Sequence, residues 1–168
     1  EEVLGALHGH GLQDTPLHLE VLNSLSVAVS TMTPFDAERN IRITEELIAL
    51  SRRVDGPDSA KHAFFLANSV PTFVSAGDYD RAIMEFAVSD ELGVDNPALH
   101  AWSGRAYEAL EEPEHAVVDF RRYLELAPDG PETEEIRQRL ARCEARLKER
   151  PAADATRAAG DTEEGGAP

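Results

Sequence analysis

Cysteine, tryptophan, positive charge and long apolar runs are what this chain has least of. A single cysteine, Cys143, in 168 residues excludes an internal disulfide and any zinc site built on several thiolates. It belongs to the series Ile136, Leu140, Cys143, Leu147, whose helical spacing marks a small buried apolar residue rather than a nucleophile. No apolar stretch approaches the ~18 residues of a membrane helix, and EEVLGALHGHG at the start lacks the basic opening of a signal peptide. A soluble, cytoplasmic chain is expected. Sixteen Lys plus Arg face 32 Asp plus Glu, and the resulting net charge of −16 repels phosphate backbones and anionic bilayers. Neither nucleic acid nor membrane is expected as a partner.

Catalytic signatures are missing as well. The chain has no Gly-rich phosphate loop, no G-x-S-x-G and no H-E-x-x-H. Of six histidines, at 8, 10, 18, 62, 100 and 115, only His8 and His10 are close in sequence, and no further ligand accompanies them. The carboxylates fall on charged helix faces. A non-enzymatic protein without catalytic residues, metal or cofactor is expected.

What the chain does have is helix punctuation. Thr15-Pro16, Thr33 to Asp36 and Asn96-Pro97 read as starts, because proline suits the first helical turn behind a side-chain acceptor. Asp55 to Pro57 and Leu92 to Val94 read as stops. Helices are expected over about 16–31, 34–54, 59–76, 79–91, 97–110, 113–126 and 132–149, with no strand-like alternation. Ile43, Leu47, Leu50 and Val54 form one apolar stripe, whereas the first helix carries Leu17, Leu19, Val21, Leu22, Leu25, Val27 and Val29 around most of its circumference. That predicts a helix packed on several sides. Pro71 inside the third helix predicts a kink. Residues 1–14 read as the end of a preceding helix or a linker, so that the chain would be a piece of a longer polypeptide. Residues 151–168 carry no aliphatic side chain larger than Ala and read as a disordered acidic tail.

Gly104 sits in the middle of AWSGRAYEAL, where glycine costs about 1 kcal/mol against alanine. Tyr107 follows at three positions, and Ala116, Phe120 and Pro128 come later. This series resembles the tetratricopeptide repeat, whose pattern runs G-x2-Y, A-x3-F and P within 34 residues. Thirty-four positions earlier, Phe73, Ala82 and Phe86 match Tyr107, Ala116 and Phe120, and Gly77 opens the turn GDYDRA. The resemblance covers residues 63–130 and departs from the family in placing Trp102 only two residues before Gly104. It implies a right-handed α-solenoid of three antiparallel hairpins, 16–54, 59–91 and 97–126, with a cap at 132–149. It also implies that Gly104 is small because two helices cross there, with Tyr107 and Phe120 filling the space around it.

In that family the first helix of each repeat lines a concave groove. Carried over, the groove positions are Phe64, Ala67, Asn68, Pro71, Val74 and Ser75, then Ala98, Ala101, Trp102, Arg105, Glu108 and Ala109. Phe64, Asn68, Pro71, Trp102, Arg105 and Glu108 are the candidate binding residues, with Trp102 as either a groove anchor or a core residue. The Lys and Arg of the carboxylate clamp used by some members are not reproduced beside Asn68. The expected function is an adaptor or scaffold that binds a peptide or helix of another protein, with some preference for positive charge. A C-terminal sensory or regulatory array of a larger bacterial regulator is the alternative. An uncovered first helix would also invite a second copy of the chain at the N-terminal end of the solenoid.

Overall fold

The computed structural model describes residues 13–30 and 36–160, with side chains through 149 apart from Ser30. The expected helix end before residue 12, the His8 and His10 pair, the Thr33-Pro34 start and tail residues 161–168 lie outside the described residues. Among the described residues there are seven helices and no strand: α1 Pro16–Ser30, α2 Ala37–Val54, α3 Ala60–Ala76, α4 Tyr79–Glu91, α5 Pro97–Ala109, α6 Pro113–Leu126 and α7 Thr133–Gly160. None of them is long and apolar enough to cross a membrane.

Local chemistry sets these bounds. Asp36, extended at φ −104° and ψ 91°, accepts a hydrogen bond from the Arg39 N–H and starts α2 at Ala37 rather than at 34. Ser59 and Asn96 cap α3 and α5 in the same way, through the N–H groups of His62 and Ala98. Gly77 ends α3 at φ +79°, which glycine tolerates, and two bonds close the turn: Gly77 N–H to Val74 C=O and Asp78 N–H to Phe73 C=O. Thirty-four residues on, the end of α5 repeats the pair, Glu111 to Glu108 and Glu112 to Tyr107, with Glu111 at φ +60°. Helix α3 runs continuously through Pro71.

Two expectations need correction. Helix α1 buries one face, through Leu19, Leu22 and Val29, while Leu17 and Val27 are exposed, so it is not enclosed on several sides. Helix α7 passes Pro151 and is described as far as Gly160, so the described part of the expected tail, 151–160, is helical. That segment is rich in alanine, the best helix former, and the cost of helix continuation falls on the turn before Pro151.

Each helix packs mainly on its successor, and α3 also touches α5. Three apolar clusters follow. Leu19, Leu22, Val29, Ile43, Leu47 and Leu50 join α1 to α2, with Phe65 of α3 against them. Ala67, Val70, Phe73, Ala82, Phe86, Leu99 and Ala106 join α3, α4 and α5. Ala101, Ala116, Val117, Phe120, Tyr123, Ile136 and Cys143 join α5, α6 and α7. Burial raises the pKa of the Cys143 thiol above its ordinary value, so this cysteine is held in its neutral, unreactive form. Helix α5 is shared by the last two clusters, and Gly104 is where it meets α6: a Cβ there would lie 2.5 Å from Cε1 of the Phe120 ring. Tyr107 packs on the same cluster and stacks on His115 with ring centroids 4.9 Å apart. Pro128 is exposed in the α6–α7 connection, where its C=O accepts a bond from Arg137.

Candidate binding surfaces

The candidate residues separate into two groups. Phe64, Asn68 and Pro71 lie on the face of α3 turned toward α1, where two adjoining cavities of about 400 and 390 Å³ meet. Both are lined by Asn23 of α1 and by Phe64 and Phe65, so together they form one groove along α3. Phe64 stands at the seam, 53% exposed and edge-on to Phe65 with centroids 5.7 Å apart. A large apolar ring held in water beside concave apolar walls is the feature expected of a contact residue. Polar groups flank it. The Thr44 hydroxyl lines one cavity and the Asp55 carboxylate the other, and Thr44 Oγ1 and Asp55 Oδ2 are buried without a hydrogen-bond partner. The other Asp55 oxygen is 3.6 Å from Lys61 Nζ. Asn68 is exposed and lines the cavity that holds Thr44.

Trp102, Arg105 and Glu108 are occupied differently. The Trp102 indole packs against the α3–α4–α5 cluster and carries the Arg105 guanidinium 4.8 Å from its ring centroid. Arg105 Nη2 donates to Glu132 Oε2 at 2.6 Å and to Glu135 Oε1 at 3.2 Å. Glu108 accepts from Arg139 at 2.5 Å and from Arg142 at 3.3 Å. Arg139 also donates to Glu135, and that bond, with the Arg105 charge nearby, holds the Glu135 carboxyl below its usual range. An ionic ladder therefore ties α5 to α7 along the very positions carried over as groove lining. Of the remaining carried-over positions, Ala67 and Ala101 are buried in the core, and Val74 packs against it. Trp102→Ala is expected to lower stability by about 2 kcal/mol, below the range for fully buried tryptophan because part of the ring is exposed. Urea denaturation followed by circular dichroism checks this, and a change under 0.5 kcal/mol, the ordinary scale for surface substitutions, would leave the indole no packing role.

One polar cluster has no counterpart in the motif reading. His100 is buried between two carboxylates, with Nδ1 at 3.1 Å from Asp119 Oδ1 and Nε2 at 3.2 Å from Asp95 Oδ1. Arg122 closes the set by donating to Asp95, and Phe86 meets the imidazole edge-on. Burial alone would lower the His100 pKa. The hydrogen bonds to Asp119 and Asp95 outweigh it and hold the imidazole pKa above its ordinary value, which favours the protonated ring. The bonds from Arg122 and His100 hold Asp95 below the usual carboxylate range. The cluster pins the α4–α5 connection, α5 and α6 together. A sequence signal existed: His100 and Asp119 fall at buried positions, four before Gly104 and three after Ala116.

No known family model matches the chain, and no match emerges among curated proteins.

Proposed function

We propose that the chain is a non-enzymatic scaffold of the tetratricopeptide-repeat kind, a right-handed α-solenoid that takes a peptide segment of a partner protein in the α1–α3 groove. The repeat reading is supported by the turn bonds that recur 34 residues apart at Gly77 and Glu111. The contact between α3 and α5 and the close approach of Gly104 to Phe120 support it too. The observation that carries the binding site is Phe64 at the seam of two continuous cavities, exposed although its neighbours are packed. The occupant is a segment with an apolar side chain for Phe64 and Phe65 and a basic side chain for Asp55 and Glu20. Its backbone meets the Asn68 amide. The net charge of −16 favours the same basic partner over an acidic one.

The test is selection of a displayed random peptide library against the whole chain, followed by titration of a selected peptide into the variants. Enriched sequences should pair a basic with an apolar residue. Phe64→Asp should weaken binding about tenfold to a hundredfold, or ~1.4–2.8 kcal/mol, with the melting temperature unchanged because the side chain is exposed. Selected peptides that bind Phe64→Asp as well as the wild type would overturn the reading. A concentration-dependent dimer abolished by Phe64→Asp would also overturn it, in favour of a second copy in the groove.

A further inference from the structure

A third cavity, of about 400 Å³, opens on the opposite flank of α3, and nothing in the scaffold reading uses it. His62 and Leu66 line it while Phe64 and Asn68 line the groove, because two helical positions differ by ~200° around the axis. Ile48 of α2, Leu66 of α3, and Met84 and Val88 of α4 supply apolar walls, and Met84 remains exposed at the mouth. The volume is within the ~300–1,000 Å³ of small-molecule sites.

Glu85 gives this cavity its chemistry. It lines the wall while only 7% exposed. The nearest cationic atom, Arg81 Nε, is 3.7 Å from Oε1, longer than a normal hydrogen bond. The Arg81 guanidinium is already committed to Glu45 and to the face of the Phe73 ring, 4.4 Å away. A carboxylate this deep with one long, shared cationic contact is costly, and burial raises its pKa despite the opposing charge and hydrogen bonding of Arg81. His62 does not neutralise it. Its Nδ1 is paired with Ser51 Oγ at 2.7 Å, and burial, with the Arg52 charge, lowers the imidazole pKa and keeps it neutral. Asp58, Glu85 and Glu91 against Arg52 leave the lining acidic.

We propose that this cavity binds a small alkylammonium cation, the ammonium on Glu85 and the aliphatic stem along Leu66, Met84 and Val88. Such a ligand supplies close donors to a carboxylate whose one cationic neighbour is long and shared, and removes apolar surface from water, which a metal ion or an anion would not do.

The experiment is a titration of the isotope-labelled full chain with n-pentylamine hydrochloride near neutral pH, read by amide NMR, with 1-pentanol as the neutral isostere. The expected result is a saturable set of shifts confined to the amides around His62, Leu66, Glu85 and Val88, with pentanol about tenfold weaker or more. Glu85→Gln should weaken amine binding by about tenfold and leave pentanol binding unchanged. Val88→Trp, which fills the cavity from a partly exposed position without changing charge, should block both. Unsaturable shifts spread over surface carboxylates, equal binding of amine and alcohol, or a Glu85→Gln protein that binds the amine normally would each overturn the assignment.

Discussion

Replacing Phe120 with alanine is expected to lower the unfolding free energy by about 3–5 kcal/mol. The ring is fully buried at the α5–α6 crossing, so its removal leaves a cavity that Ala116 and Tyr123 are too constrained to fill. Against the ~5–15 kcal/mol that holds a domain folded, that is a large share. Gly104 gives the prediction a second arm. A Cβ at 104 would sit 2.5 Å from Cε1 and 2.6 Å from Cδ1 of the ring, and a ring enclosed on all sides has nowhere to move. Overpacking should cost about 1–3 kcal/mol, offset by the ~1 kcal/mol that alanine gains in helix propensity. Gly104→Ala should therefore be destabilising although its helix is improved. The pair should be coupled: in a Phe120→Leu background the added methyl finds room, and the Gly104→Ala cost should vanish or change sign. Urea denaturation of the four proteins measures the coupling. A Gly104→Ala protein more stable than wild type would mean that the two helices do not approach as closely as described.

The helices were legible in the sequence because their signals are local. Ser59, Asn96, Gly77 and Pro113 act on backbone groups within a turn of themselves, and those bounds need no knowledge of the rest of the chain. Where local signals competed, the reading slipped. The stretch from Thr33 to Asp36 reads as one start, and it is Asp36 that accepts the Arg39 N–H and opens the helix at Ala37. The aliphatic-rich α1 suggested a helix covered on all sides, but hydrophobicity states only what a helix can bury. Leu17 and Val27 remain exposed.

Sites depend on which residues face each other across helices, and that is set by packing rather than by spacing. Arg105 and Glu108 were placed on the correct helix, yet their partners are 27 to 34 positions away, on α7 and just before it. The cavity around Glu85 combines α2, α3 and α4, and no periodicity in any one of them announces it. The His100 cluster was closer to legible. A charged or titratable residue on an otherwise apolar stripe, as at 100 and 119, implies a buried partner, because an unpaired one would be too costly.

That requirement fixes what happens when the partner is removed. Asp119→Ala should destabilise the chain by about 3 kcal/mol, the lower end of the range for breaking a buried ion pair, because Asp95 remains and the imidazole can shed its proton. The pH dependence separates this from simple loss of packing. A histidine with a raised folded-state pKa contributes stability that is fully present below its ordinary value and is lost as pH rises through the raised one. The deficit of Asp119→Ala relative to wild type should therefore be largest on the acid side of ~6.5 and shrink as pH rises. Asp95 does not confound the window, since its lowered pKa places its loss of stability below the ordinary Asp value. His62, with a lowered pKa, and Glu85, with a raised one, tilt wild type and variant alike and cancel in the difference. Asp119→Asn keeps an acceptor for Nδ1–H without the charge, so it should cost less while removing much of the same pH dependence. Urea denaturation at pH values spanning ~5.5 to ~8.5 measures both differences. A deficit that stays constant across that window would show that His100 is neutral in the folded chain and that Asp119 acts only as a hydrogen-bond acceptor.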